Sequence, residues 1–346
     1  MSSEVPTTSV ELFSACPLRQ TDLNAPTYLG SIENVARWSE RGGYRGTLIY
    51  TANNAEADPW LLAQVVLRAT ETLAPLVAVQ PVYMHPYTVA KMVSSLSNMY
   101  GRKIFLNMVA GGFKNDLVAM NDTTPHDRRY DRLVEYTTII QRLLEPGSSV
   151  SFEGEFYSVR NLRLTPPLAA ADLFPGFFIS GSSAAGLAAA QAIGATVVRY
   201  PQPSEDGDPG LPEPEAGSGI RIGVIAREEE EEAWRVAHRR FPADRKGQVT
   251  HMLAMSTSDS VWHQQLSSGA RDAEKNEKRS PYWMGPFESS KEYCPYLVGS
   301  YSRVARELSR FIAARHRTYI LDIPPDDEES RHVNRAFRQA LGSLAP

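Results

Sequence analysis

The chain has 346 residues, 42% hydrophobic and 22% charged, with 36 basic and 40 acidic side chains and a net charge of −4. That balance is ordinary for a globular protein. It holds no basic stripe for nucleic acid, no positive excess for a membrane surface, and no apolar run long enough for a membrane span. The two cysteines, Cys16 and Cys294, lie too far apart in sequence to form a metal motif, and no metal is expected. The start MSSEVPTTSV lacks the basic residues and apolar core of a signal peptide, so a reducing, cytoplasmic setting is expected.

In chain order, residues 10–14 (VELFS) read as a strand. Residues 29–41 read as an amphipathic helix, with Ile32, Val35, Ala36 and Trp38 on one side and Gly42-Gly43 as its stop. A strand over 46–50, a helix over 59–71 opened by Pro59, a strand over 76–79 and a helix over 86–97 follow. KIFLNM (103–108) reads as a strand, and 125–144 as a long helix with Thr123 and Thr124 as cap candidates. VSFEGEFY (150–157) reads as a small hairpin about Glu153-Gly154. Strands over 177–179, 196–198, 220–226 and 319–321 alternate with helices over 184–193, 228–239, 302–314 and 326–341. The acidic run 228–232 reads as a solvated helix start.

Eight strand candidates, many apolar on both faces, alternate with helices. That pattern predicts α/β architecture with a parallel sheet, and the count predicts a TIM (β/α)8 barrel in one domain over 1–346. The alternative is an open doubly wound sheet, whose G-x-G-x-x-G turn is not found. Two stretches interrupt the alternation. Residues 201–218 hold five Pro, three Gly and five acidic residues, and predict an exposed loop in place of a helix. Residues 241–300 are polar, with Trp262, Tyr282, Trp283 and no clear strand, and predict an insertion or lid. FFISGSSAAG (177–186) runs from a strand straight into a helix. Its Gly181-Ser182-Ser183 is either an N-cap or an anion site built on free N–H groups, and the two can coexist.

Several segments, in order over residues 10–345, carry a resemblance: GRKIFLNMVAGG (101–112), HDRRYDRLVEYTTIIQRLL (126–144), VSFEGEFYSV (150–159) followed by Pro166-Pro167, FFISGSSAAGLAAAQ (177–191), IRIGVIAREEEEEAW (220–234) and VGSYSRVARELSRF (298–311). Together the chain resembles the flavin-dependent luciferase-like monooxygenases, nearest their alkanesulfonate branch. The resemblance implies a TIM barrel with insertions, binding FMN as FMNH2 delivered by a separate NAD(P)H:flavin reductase. It implies O2 as co-substrate, a flavin peroxide, and oxygenation of a small organic substrate, free or carrier-bound. A homodimer or homotetramer is the expected assembly.

The resemblance also assigns residues. Gly181, Ser182 and Ser183 take the FMN phosphate. His126 and Tyr130, four apart and so on one helix face, reach the phosphate and ribityl chain. Asn107 contacts the isoalloxazine, Gln80 is a polar strand end beside it, and Arg221, read as beginning the strand over 220–226, faces the substrate. Asp127 and Arg129 are structural. The catalytic acid/base is unassigned, because the chain departs from the branch pattern. Gly223 stands where the branch has His, Ile323-Pro324-Pro325 replaces Tyr-Pro-His, and Asn53-Asn54-Ala55 occupies the place of a Cys. Desulfonation loses its acid/base groups, and a biosynthetic hydroxylase is expected instead. A barrel helix between the strands at 196–198 and 220–226 is expected to be lost. Two rivals stand: a deazaflavin-dependent oxidoreductase of the same fold, and a non-catalytic flavin-binding protein.

Overall fold

The computed structural model describes residues 9–19, 25–111, 114–147, 149–201, 218–256 and 281–344. Most of the acidic Pro/Gly loop and the middle of the 241–300 insertion, with Trp262, lie outside them. Strands β1 (Glu11–Ala15), β2 (Gly46–Ile49), β3 (Ala74–Val79) and β4 (Phe105–Met108) pair in parallel in that order. A hairpin of β5 (Val150–Glu153) and β6 (Ser158–Leu162) stands apart. Next come β7 (Gly176–Ser180), β8 (Thr196–Arg199) and β9 (Ser218–Arg221). The chain then builds a second sheet from β10 (Gly223–Arg227), β11 (Tyr282–Trp283) and β12 (Tyr296–Ser300) before β13 (Thr318–Ile320) closes the barrel between β9 and β1. The eight parallel strands form a closed ring, as a TIM barrel requires.

The barrel closes because its strands are apolar on both faces. Phe13, Leu48, Leu76, Phe105, Phe178, Val198 and Ile320 point inward and pack on one another. The rings of Phe13, Phe105 and Phe178 meet edge to face at 5.3–5.8 Å. The alternate residues, such as Ile49, Val77, Val79, Leu106 and Ile179, join the apolar faces of the helices. Gly46 is required where Phe13 crosses β2, since a Cβ there would lie 2.8 Å from the ring and 2.4 Å from Ala74 O. Among the described residues no helix is long and apolar enough to cross a membrane.

Three local expectations are corrected. The apolar run 220–226 is two strands in two sheets. Ile222 N–H still donates to Ile320 O in the barrel (3.1 Å), while Gly223 N–H turns to Pro295 O (2.8 Å). Both strands are fully buried, so hydropathy does not mark the break. Arg221 therefore ends a barrel strand and does not begin one. Second, β11 and β12 lie in the stretch expected to be strandless. With β10 and the helix Glu230–Arg240 they enclose a core of Ile225, Ala233, Val236, Trp283, Cys294, Tyr296 and Val298. Third, the helix His126–Leu144 has no side-chain N-cap, because the Thr124 hydroxyl donates to Asp122 at 2.6 Å. The acidic run is a solvated helix start as expected, with Glu228, Glu229, Glu231 and Glu232 exposed, while the partly buried Glu230 accepts from Ser300 N–H (2.8 Å) and Arg303 (2.6 Å). Between β8 and β9 the described residues contain no helix.

Candidate active site at the barrel mouth

Side chains alternate along a strand, so the inward positions two residues beyond the aromatic layer can be read directly. They are Ala15, Tyr50, Ala78, Asn107, Ser180, Tyr200 and Asp322. The same period puts Gln80 at the end of β3 and Arg221 at the end of β9. The floor of the barrel is apolar and its C-terminal mouth is polar. Active sites of TIM barrels are built at that end.

One part of this mouth holds Asn107 and Gln80, both buried. Asn107 Oδ1 is buried without a hydrogen-bond partner among the described residues. Gln80 hydrogen bonds the Tyr83 hydroxyl, which donates to Asn53 Oδ1 at 2.5 Å. Asn53 Nδ2 in turn reaches Asp116 O at 3.1 Å. Beside this chain of polar groups opens a cavity of about 300 Å³ lined by Thr51, Asp58, Trp60, Gln80, Tyr83 and Met84.

The rim beyond β7 brings together the other residues expected at the cofactor. The helix Ala184–Ile193 starts at Ser183, whose Oγ accepts from Gly186 N–H at 3.1 Å, so the capping role is realised. The Tyr130 hydroxyl hydrogen bonds Ser183, and burial pushes its pKa up. A Cβ at Gly181 would touch that hydroxyl at 3.4 Å, and one at Gly186 would meet the Tyr130 ring at 3.3 Å. The His126 ring meets Tyr130 edge-on at 5.3 Å, with Nδ1 2.8 Å from Asp127. Ser182 lies between Gly181 and Ser183 on this turn. Space is tight only at Gly186, where Tyr130 and Ser183 close in on the helix start. An acceptor left unmet inside the mouth and a hydroxyl-bearing helix start at its rim fit the ring and phosphate ends of a flavin nucleotide.

The third part is charged. Arg221 is buried and donates to Tyr50 Oη (2.5 Å), to Ile320 O (3.2 Å) and to Leu321 O. Glu292 Oε2 lies 4.0 Å from it. Asp322 accepts from Tyr296 Oη at 2.9 Å and pairs with Arg240 at 2.7 Å. Burial, helped by the Asp322 charge and opposed by Arg221 and Arg240, holds the Glu292 carboxyl up at about 7. Motif reading singled out only Arg221 from this cluster. Tyr50 and Tyr200 were readable as the next inward position after an apolar strand. Asp322 follows Ile320 by the same period, while Glu292 and Arg240 carried no periodic signal. Among the described residues no group of three or more His, Cys, Asp or Glu is placed to hold a metal ion.

A family model described as luciferase-like monooxygenase matches residues 10–316. The chain is 35% identical over 313 residues, 89% of its own length and 90% of the other, to the monooxygenase BtrO of Niallia circulans. The name of that protein gives its substrate as a 4-(gamma-L-glutamylamino)butanoyl group on the BtrI acyl-carrier protein. Among solved structures, the EDTA monooxygenase EmoA from Chelativorans sp. BNC1 matches 98% of this chain and 95% of its own, with TM-score 0.72 and 15% identity. The coenzyme F420 dependent tetrahydromethanopterin reductase from Methanopyrus kandleri matches 97% and 100%, with TM-score 0.63 and 12% identity. At those identities both structures speak to the fold alone.

Proposed function

The chain belongs to the luciferase-like monooxygenase family, and from that premise we propose that it is the oxygenase of a two-component system. It takes reduced FMN from a separate NAD(P)H:flavin reductase and places one oxygen atom of O2 into an acyl group presented on a carrier protein, as a step of biosynthesis. The observation that carries the cofactor reading is the Asn107 side-chain oxygen, buried in the mouth without a partner. A buried acceptor left unmet costs about 1–3 kcal/mol, which a ring N–H of the flavin would recover. The carrier-bound substrate is supported by the 35% identity to a monooxygenase whose name specifies one, over 90% of that protein.

Reduced FMN, when bound, supplies the two electrons and two hydrogens that turn the second oxygen atom into water. The protein's share is positioning and exclusion. Asn107 and Gln80 would hold the ring at the mouth. The turn Gly181-Ser182-Ser183 would hold the phosphate at a helix N-terminus, whose N–H groups and dipole favour an anion. Tyr130, bonded to Ser183, and His126 against it would fix the chain between them. The Phe13, Phe105 and Phe178 layer below closes the floor to water.

The test uses the purified protein with chemically reduced FMN, isotopically labelled O2 and a panel of acyl-loaded carrier proteins beside the corresponding free acids. The expected result is one labelled oxygen atom in a carrier-bound acyl group and none in its free acid. Labelling of free acids alone would overturn the carrier-bound substrate. Tighter binding of a reduced deazaflavin than of reduced FMN would overturn the cofactor.

A further inference from the structure

The flavin-side residues assigned above include no carboxyl, yet the mouth holds two buried ones, Glu292 and Asp322. They are equipped differently. Burial pushes the Asp322 carboxyl up too, but the Tyr296 hydroxyl at 2.9 Å and Arg240 at 2.7 Å both oppose that and hold it by direct contacts. Glu292 has its nearest cation, Arg221, at 4.0 Å, beyond hydrogen-bond reach. Arg221 is engaged instead by three neutral oxygens, those of Tyr50, Ile320 and Leu321. The two carboxyls therefore differ as an acid and its neighbouring fixed charge differ in sites that separate those roles.

The groups facing Glu292 come from every side of the mouth. β9 contributes Arg221, β13 leads into Asp322, and the helix Glu230–Arg240 contributes Arg240. Tyr50 beyond β2 and Tyr200 beyond β8 flank Arg221, with Cys294 and Tyr296 on the segment of Glu292 itself. The Tyr293 ring meets the Tyr50 ring at 6.1 Å, so the segment of Glu292 rests on the barrel mouth. Burial, helped by Asp322 and opposed by the two cations, leaves the carboxyl near the midpoint of its titration at neutral pH, at about 7. A group poised there can both give and take a proton.

We propose that Glu292 is the catalytic acid/base of this site, with Arg221 acting on it through charge. The inference rests on the monooxygenase reading above and names its proton-transfer group. One atom of O2 enters the substrate and the other departs and must be protonated on its way to water. Glu292 gives its carboxyl proton to the departing oxygen. It takes one back from the two hydrogens that the cofactor brings, so the carboxyl is unchanged over a cycle and the second oxygen leaves as water.

Two measurements test this, neither of which needs the substrate. The first is infrared titration of the cofactor-free protein. Wild type should have a carboxyl band that titrates near neutral pH, and Glu292→Gln should lack it. The second is stopped-flow reoxidation, with reduced FMN and O2 as the probes. Without substrate both oxygen atoms leave together as hydrogen peroxide, and the same carboxyl would protonate the departing oxygen. The wild-type rate should fall as pH rises through about 7. Glu292→Gln should lower the rate roughly a hundredfold at pH 6 and flatten its pH dependence, the usual scale for loss of a general acid. Glu292→Asp, which keeps a titrating group, should retain the limb. A Glu292→Gln protein with wild-type rate and pH profile overturns the proposal, as does the absence of a neutral-range carboxyl band. A wild-type protein that leaves the reoxidation of reduced FMN unchanged overturns the monooxygenase reading as well, whatever the infrared titration gives.

Discussion

Asn107 has a strand position that would suit a leucine, and its side-chain oxygen is buried with nothing to accept among the described residues. Its use is separable from the fold. Asn107→Leu removes the unmet group at similar volume, so the cofactor-free protein should unfold in urea within about 1 kcal/mol of wild type, or later. Reduced-FMN affinity, followed by fluorescence quenching, should fall about tenfold. Lost stability with unchanged affinity would make Asn107 a scaffold residue. Arg221 is tested through its neighbour. Its positive charge favours the ionised Glu292, so Arg221→Met should move the Glu292 titration to higher pH. An unmoved or lowered titration would break the electrostatic link between them.

The helix Ala184–Ile193 and the turn before it carry two jobs that can be separated by observable. Ser183 caps the helix through Gly186 N–H at 3.1 Å, so Ser183→Ala should cost about 1 kcal/mol of stability, read by thermal or urea melting. The double change Ser182→Ala with Ser183→Ala should also weaken reduced FMN relative to reduced riboflavin, which lacks the phosphate. The loss should be partial, because the backbone N–H groups of the turn survive. A double variant that prefers FMN as strongly as wild type would leave the turn with capping alone. Tyr130 ties the element to the helix His126–Leu144 through its bond to Ser183, so a change at the cap is felt by the helix that carries His126.

The whole molecule stores two buried groups whose pH dependences oppose each other. Glu292 is raised from 4.5 to about 7 by burial. Its contribution is fully present below pH 4.5 and is lost as pH rises through 7. His316 at the far end of the barrel is buried, bonded to Ser218 at 2.9 Å, and lowered from 6.5 to about 4 by burial and by Arg199 and Arg317. Its contribution is present above pH 6.5 and is lost as pH falls through about 4. Between the two unperturbed values, 4.5 and 6.5, the slopes have opposite sign. Glu292→Gln should therefore make stability rise with pH more steeply there than in wild type, by at most roughly tenfold in the folding equilibrium per pH unit. His316→Asn should do the reverse. Melting temperatures of the three proteins across that range decide it, and parallel curves would remove both assignments.

Most of the barrel strands were legible in the sequence, because a strand buried on both faces reads as a continuous apolar run, as in APLVAV at β3. The GSS turn was legible too, since small hydroxyl residues between a strand and a helix have few other uses. The break at Ile222 was not. Two buried strands in two sheets read like one long strand, and only the hydrogen bonds to Ile320 and Pro295 separate them. That one step moved Arg221 from the start of a strand to the mouth of the barrel. The polar cluster there joins residues 50, 200, 221, 240, 292 and 322. No local spacing links those positions, because barrel closure and the return of β12 beside β10 bring them together. The sequence by itself determined the barrel, which rests on local periodicity, and its short motifs named the candidate flavin residues through the family resemblance. The surroundings of Glu292 were decided only by the tertiary structure, because burial and charge neighbours are properties of packing across the whole chain.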